Sequence, residues 1–229
     1  MRASPGLSST IGLVLFDCDG VLVDSERLAV QVEVAVLGSL GWEISPEEVV
    51  ERFLGVSDAD YLAQIEEHLG ITLPEGWLEE MEPRYRHAFE RELTVVPGIL
   101  SALERIEEAG IMTAVASSGS PAKLRFTLSH TGLFERFEGR VFSAVEVTRG
   151  KPAPDLFLHA AAALGVDPAR TAVVEDSPAG IEAALAAGMR TVAYAGGGLV
   201  PPERLSRPGV TVITDMSHLP DELLGSTAR

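Results

Sequence analysis

Residues 11–20, IGLVLFDCDG, combine a predicted buried strand with two carboxylates at its end. The stretch opens with a nearly continuous apolar run, which is typical of a short strand buried on both faces of a sheet. Because side chains alternate along a strand, the carboxylates of Asp17 and Asp19 are predicted to point to one side and Cys18 to the other. Two carboxylates this close repel each other, and a divalent cation between them is the usual remedy.

Further apolar runs of strand length follow this stretch, and helical patterns separate them. Ser120 is the predicted N-cap of one of these helices, and Ser177-Pro178 begins another. Strands that alternate with helices predict an α/β fold with a doubly wound, Rossmann-like parallel sheet. The additional predicted strands are residues 111–116, 171–174, 191–194 and 210–213.

Residues 25–93 interrupt this alternation. They show only helical periodicity, for example at Leu28, Val32 and Val36. A segment of this length is too long for an ordinary crossover between strands, so we expect an inserted, all-helical domain. The α/β core domain would then comprise residues 1–24 and 94–229.

Composition limits the partners and the compartment. The 229 residues carry 34 acidic and 18 basic side chains, for a formal net charge of −16. A field of this sign repels nucleic acid and anionic membrane surfaces, so we expect neither as a partner. A single cysteine, the absence of a signal-peptide pattern and apolar runs no longer than a strand favour a cytoplasmic protein, with a monomer as the default state.

Two polar segments lie in the second part of the chain, one after a predicted strand and one in a loop before a predicted helix. Ser117 and Ser118 end one strand just before a helix N-terminus, where free backbone amides bind anions. Lys151 lies in the loop GKPAPD, residues 150–155, and is one of only two lysines in the chain. Its charge could neutralise an attacking carboxylate and the oxygens of a phosphoryl group.

Glu175 and Asp176 add a further pair of acids, directly after the predicted strand at residues 171–174. Taken alone, each polar segment has a structural explanation, such as an acidic turn, a helix N-cap or a solvated lysine. The carboxyl ends of parallel strands meet at one edge of a sheet, however, so the segments together indicate one site. Hard oxygen ligands gathered at one point suit Mg²⁺.

These segments resemble those of the haloacid dehalogenase superfamily of phosphotransferases, and the resemblance covers nearly the whole chain. The match consists of DxDG at residues 17–20, Ser117, GKPxPD at residues 150–155 and EDS at residues 175–177, in that order. The helical insert is similar to the small helical cap of the branch that contains β-phosphoglucomutase and sugar phosphatases. We refer to residues 25–93 as the cap.

The resemblance implies a role for each group that takes part in the reaction. Asp17 would be the nucleophile and a metal ligand. Asp19 would be the general acid for the leaving group and later the base for water, while its backbone carbonyl binds Mg²⁺. Lys151 would balance the negative charge that gathers around Asp17.

The resemblance also assigns the binding groups. Ser117 and the backbone amide of Ser118 would hold the phosphoryl oxygens. Asp176, helped by Glu175, would complete the Mg²⁺ site. The implied partner is therefore a small phosphorylated metabolite.

Three functions are compatible with these features. Hydrolysis of a sugar phosphate or sugar-acid phosphate is favoured. A β-phosphoglucomutase carries a cap arginine shortly after a Gly-Val-Ser segment, whereas here Gly55-Val56-Ser57 precedes Asp58, of opposite charge. A non-enzymatic phospho-aspartate signalling module would lack a helical insert after the first acidic motif.

Three side chains of the cap are weaker candidates for substrate specificity. Arg84 and His87 share one face of a predicted helix, and Arg52 precedes the Gly55 segment. They could contact an anionic part of the substrate when the cap closes. The alternative is a solvated, charged helix surface.

Overall fold

A six-stranded parallel sheet forms the core of the molecule. The computed structural model describes residues 11–53 and 58–225. The strand order is β3-β2-β1-β4-β5-β6, which is that of a doubly wound fold and confirms the predicted fold class. The strands are β1 (Leu13–Phe16), β2 (Met112–Ser117), β3 (Val141–Ser143), β4 (Thr171–Glu175), β5 (Arg190–Tyr194) and β6 (Val210–Ile213).

Helices cover both faces of this sheet, which explains why its strands are continuously apolar. On one face, Val14 and Phe16 pack into a cluster with the helices at residues 99–108 and 121–130. On the other face, Leu13 and Leu15 pack with the helices at residues 155–163 and 178–186. Cys18 joins the first of these clusters, as the alternation of side chains predicts. The helices of the core are α5 (Ile99–Glu108), α6 (Pro121–His130), α7 (Asp155–Ala163), α8 (Pro178–Ala186), α9 (Pro202–Leu205) and α10 (Leu219–Leu224).

Strand β3 corrects the sequence prediction, which contained no strand between residues 116 and 171. This strand has only three residues and pairs with β2 at one edge of the sheet. Three residues are too few to show a period of two, so no hydrophobic pattern could identify them. The strand matters because it brings Ser143 next to Ser117, its partner in the register.

The cap contains four helices in its described part and has a hydrophobic cluster of its own. This cluster is built around Leu37, Trp42, Phe53 and Ile65. The exact boundaries of the cap, at residues 25 and 93, stay predictions. The helices are α1 (Ser25–Ser39), α2 (Pro46–Phe53), α3 (Asp58–Leu69) and α4 (Trp77–Glu92).

The two connections between the cap and the core run side by side. The backbone N–H of Asp24 donates to the carbonyl of Thr94 at 3.0 Å, and that of Val96 donates to Leu22 at 3.0 Å. These bonds pair the two connecting segments just before α1 begins. Within the described ranges, no helix is long and apolar enough to span a membrane.

Candidate active site

Asp17 directly follows β1, and its side chain is buried at the carboxyl edge of the sheet. The chain then turns at Gly20, where φ is 71°, a left-handed conformation that suits glycine. A Cβ atom on Gly20 would lie 1.8 Å from Oδ2 of Asp176. Glycine at this position therefore allows the turn after β1 to approach the acid that follows β4.

Lys151 connects the segments that the sequence predicted to meet. Its Nζ donates to Oδ1 of Asp17, to Oε1 of Glu175 at 2.6 Å and to the carbonyl of Ala116 at 3.1 Å. Only 5% of the Lys151 side chain is exposed. Burial acts to lower the pKa of this lysine, but Asp17 and Glu175 raise it above its ordinary value. The ammonium group therefore stays charged beside the candidate nucleophile.

Glu175 is held from its other side by the two residues that precede α8. Its Oε2 accepts hydrogen bonds from the backbone N–H of Asp176 at 3.1 Å and from Oγ of Ser177 at 2.9 Å. Its Oε1 accepts from Lys151. This geometry supports a role for Glu175 in positioning Lys151, while its contribution to a metal site stays a prediction.

Replacing Gly180 by alanine is expected to destabilise the fold by about 1–3 kcal/mol and to lower activity. A Cβ atom on Gly180 would lie 1.9 Å from the carboxyl group of Glu175, which is buried and bonded to Lys151. Urea denaturation and steady-state kinetics would measure both effects. Gly38→Ala is the matched control, because Gly38 is also helical and has open space around it. Equal effects of the two substitutions would contradict this prediction.

Asp19 has partners that the sequence did not reveal. Its Oδ2 accepts from Nζ of Lys123 at 2.8 Å, and its Oδ1 accepts from Oγ of Ser25 at 2.5 Å. Burial acts to raise the pKa of Asp19, but Lys123 and the hydrogen bonds lower it below the ordinary value. One signal could have identified Lys123. It is, with Lys151, one of only two lysines in the chain, and it lies in the first turn of the helix after Ser117.

Burial and mutual repulsion raise the pKa of several acids at this sheet edge. The pKa of Asp17 is raised to about 7 by burial, against the opposing effect of Lys151. The pKa of Glu26 is also raised to about 7 by burial and by its acidic neighbours. Burial and the surrounding carboxylates raise the pKa of Asp176 well above its ordinary value. The acidic cluster, as we call it, consists of Asp17, Asp19, Glu26, Glu175 and Asp176.

The acidic cluster contains more carboxyl groups than the two lysines that bond to it, Lys123 and Lys151, can pair with. This excess fits a divalent cation, which would lower the repulsion. Among the described residues, no three acidic, histidine or cysteine side chains are grouped as a complete metal site. The predicted set consists of Asp17, Asp176 helped by Glu175, and the backbone carbonyl of Asp19. Mg²⁺ also keeps several waters and binds phosphate oxygens, so the protein need not supply every ligand.

Ser117 and Ser118 lie at the end of β2, in the loop that leads into α6. Oγ of Ser117 is buried and accepts from the backbone N–H of Gly119 at 3.2 Å, whereas Ser118 is exposed. Ser143 fixes the same loop, since its Oγ donates to the carbonyl of Gly119 at 2.7 Å. Ser120 caps α6, as predicted. The loop therefore presents its hydroxyl and amide groups from a rigid position.

The candidate specificity residues of the cap lie on its surface. Arg84 and His87 are exposed on α4, and Arg52 is exposed on α2 with its guanidinium 5.6 Å from the ring of Trp42. Their role in specificity stays a prediction. The Gly55-Val56-Ser57 segment, which bears on the mutase alternative, lies outside the described residues.

The two residues that follow Arg84 on α4 line a cavity. Tyr85 and Arg86 line a cavity between α1, α4 and α6, which also reaches Lys123. A second cavity, of about 430 Å³, opens beside Asp176 and extends to the loop that contains Gly197. The second cavity is therefore lined by members of the acidic cluster, whereas the first reaches it only through Lys123, which bonds to Asp19.

A family model described as haloacid dehalogenase-like hydrolase matches residues 11–188, which include every element of this site. The chain belongs to the haloacid dehalogenase-like hydrolases. Within this family it is 32% identical to a 6-phosphogluconate phosphatase of Escherichia coli K12, over 93% of this chain and 95% of the relative. It is a phosphoric monoester hydrolase.

Solved structures of haloacid dehalogenase-like hydrolases agree with this assignment. A protein of the family from Agrobacterium tumefaciens has a TM-score of 0.84 and 39% identity, over 93% of this chain and 97% of that one. A family hydrolase from Deinococcus radiodurans, solved with bound phosphate and sodium, has a TM-score of 0.82 and 32% identity. The similarity to the second covers 94% of this chain and 96% of that one.

Proposed function

We propose that this enzyme is a Mg²⁺-dependent phosphatase that hydrolyses a sugar phosphate or sugar-acid phosphate through a phosphate ester on Asp17. The observation that carries this proposal is the separation of two carboxylates into different environments. Asp17 is paired with the buried Lys151, whereas Asp19 is bonded to Lys123 and Ser25. Two adjacent acids with different partners can serve as a nucleophile and as a proton-transfer group.

In the first step, a carboxylate oxygen of Asp17 forms a bond to phosphorus, and the bond from phosphorus to the leaving oxygen breaks. The carboxyl group of Asp19 gives its proton to that oxygen. Lys151 offsets the negative charge on Asp17 and on the phosphoryl oxygens, which Ser117 and the amide of Ser118 hold. The products are the free alcohol and an aspartyl-phosphate.

In the second step, water attacks phosphorus and gives a proton to the carboxylate of Asp19. The bond from phosphorus to Asp17 breaks, so inorganic phosphate leaves and both acids return to their starting states. The hydrogen bonds from Lys123 and Ser25 favour the carboxylate form of Asp19, which accepts the proton in this step, and they oppose the protonated form that the first step uses. When bound, Mg²⁺ would supply positive charge next to the phosphoryl group, held by Asp17, Asp176 and the carbonyl of Asp19.

The test is phosphate release from a panel of metabolites in the presence of Mg²⁺. The panel contains 6-phosphogluconate, hexose phosphates, phosphoglycolate and β-glucose 1-phosphate. We expect strong release from one or a few members. Conversion of β-glucose 1-phosphate into glucose 6-phosphate without release would establish the phosphomutase alternative instead.

Removal of Mg²⁺ is expected to lower phosphate release by about 10³-fold, because the acidic cluster then repels the phosphate group. Titration with a chelator, followed by addition of Mg²⁺, would measure the loss and its recovery. In parallel, Mg²⁺ should raise the melting temperature of the wild type but not that of Asp176→Asn. Full activity in excess chelator would contradict the proposed metal site.

A further inference from the structure

The cavity between α1, α4 and α6 has a volume of about 270 Å³, and we call it the cap cavity. Helix α1 contributes Glu33 to its lining, α4 contributes Tyr85, and α6 contributes Lys123. Nζ of Lys123 is 2.8 Å from Oδ2 of Asp19, the group that protonates the leaving oxygen in the proposed mechanism. The cap cavity therefore begins at the leaving-group side of the acidic cluster.

One face of α1 leads from Asp19 into this cavity. Ser25, Ala29 and Glu33 are spaced by four residues, so they lie on the same side of the helix. Ser25 bonds to Asp19, and the other two line the cavity. The helix rises by about 12 Å between Ser25 and Glu33, and helical side chains lean back toward the N-terminus. A leaving group attached at Asp19 would thus extend along α1 toward Glu33.

Glu33 forms a polar pair with Tyr85 at the far end of this path. Oη of Tyr85 donates to Oε1 of Glu33 at 3.2 Å, although the two residues are 52 positions apart in the chain. Among the described residues, no hydrogen bond to Oε2 of Glu33 is found, so this oxygen can accept one from a ligand. The phosphoryl-transfer steps use neither residue.

The rest of the lining is partly apolar, with aromatic side chains from two helices. Phe89 of α4 and Phe126 of α6 form part of the wall. The guanidinium of Arg86 lies 4.8 Å from the ring of Phe126, and its Nε donates to Glu90 at 3.1 Å. Both cations of the lining, Arg86 and Lys123, thus have acidic partners within the protein.

We propose that the cap cavity receives the leaving group of the substrate, and that Glu33 with Tyr85 selects a neutral, polyhydroxylated leaving group over one that ends in a carboxylate. The inference rests on the proposed phosphatase function and narrows its substrate class. A carboxylate and a phenol can bond to hydroxyl groups, while the aromatic wall contacts the carbon skeleton. Burial raises the pKa of Glu33 to about 7, so the two leaving groups are compared at a pH above this value. There, a second carboxylate beside Glu33 would meet a like charge in a partly desolvated place.

Two substrates of equal length separate these alternatives. Glucitol 6-phosphate and 6-phosphogluconate differ only at the carbon farthest from the phosphate, which carries a hydroxyl in one and a carboxylate in the other. With Mg²⁺ present, we expect the kcat/KM of the wild type to be about tenfold or more higher for glucitol 6-phosphate. An equal or higher kcat/KM for 6-phosphogluconate would overturn the inference, while leaving the phosphatase function intact.

Variants locate the source of this preference. Glu33→Gln removes the charge at nearly constant shape and should reduce the ratio of the two kcat/KM values by about tenfold. Tyr85→Phe should lower kcat/KM for glucitol 6-phosphate by about tenfold through the lost hydroxyl. Glu80→Gln, on the exposed surface of α4, is the control and should keep the wild-type ratio. An unchanged ratio in both Glu33→Gln and Tyr85→Phe would overturn the inference.

The same assays distinguish failure of the inference from failure of the proposed function. Release of phosphate from 4-nitrophenyl phosphate, which has an aromatic leaving group, tests the chemistry without a polyol. Failure to release phosphate from this compound and from both six-carbon substrates would overturn the phosphatase proposal, and the inference with it. Release from 4-nitrophenyl phosphate, combined with no preference between the six-carbon substrates, would overturn the inference alone.

Discussion

Asp17→Asn is expected to lower phosphate release by about 10⁴-fold or more, because an amide cannot form the aspartyl-phosphate. The substitution keeps the shape of the side chain and removes only its charge. Phosphate release under saturating substrate and Mg²⁺ would measure the loss. Mass spectrometry after acid quenching should detect a phosphorylated wild-type protein and no phosphorylated Asp17→Asn. Turnover of this variant near the wild-type rate would refute the nucleophilic role.

The fold should survive this substitution, so stability provides the control. Burial raises the pKa of Asp17 to about 7 in the absence of metal, above its unfolded value. Such a group stabilises the folded state at low pH, and this contribution is lost as pH rises through the folded pKa. Above pH 7 and in chelator, Asp17→Asn should therefore be at least as stable as the wild type. A much lower melting temperature there would mean that the loss of activity reflects unfolding.

Lys151→Met is expected to lower kcat by about 10²–10³-fold and to destabilise the fold by about 3–5 kcal/mol. The first effect follows because the ammonium group bonds to Asp17 and offsets charge on the reacting groups. The second follows because Asp17 and the buried Glu175 would lose their shared cation. Kinetics at a temperature well below unfolding, together with urea denaturation, would separate the two effects.

Arg149→Met is the matched control for this prediction. Arg149 lies in the same loop and also forms an ion pair, with Asp155 at 2.7 Å, but 68% of its side chain is exposed. Exposed pairs contribute about 0–1 kcal/mol, so both activity and stability should stay close to wild type. Comparable losses in Lys151→Met and Arg149→Met would show that the loop, and not the buried ammonium, is responsible.

Much of the candidate site could be predicted from local sequence alone. Asp17, Lys151 and Asp176 were identified because each directly follows a strand or precedes a helix. In a parallel sheet, such positions are brought to one edge whatever the details of packing. The hydrogen bonds of Lys151 to Asp17 and Glu175 show that these segments do meet.

The side chains that bond to Asp19 and to the loop after β2 could not be predicted in the same way. Lys123 and Ser25 bond to Asp19, and Ser143 holds the loop after β2. Ser143 lies in an element whose own pattern explains it, and for Lys123 the scarcity of lysines in the chain is the one sequence signal of a function. The short strand that carries Ser143 was missed because three residues show no period.

The parallel α/β core, the helical insert, and the acids and the lysine of the candidate site follow from the sequence. These features depend on short-range patterns, namely apolar runs, helix starts and the alternation of side chains. The tertiary structure alone decided which charges are paired, such as Lys123 with Asp19 across 104 positions and Tyr85 with Glu33 across 52. Such contacts depend on how the helices pack against the sheet and against each other. The number of residues between two side chains does not tell how far apart they lie in the folded protein.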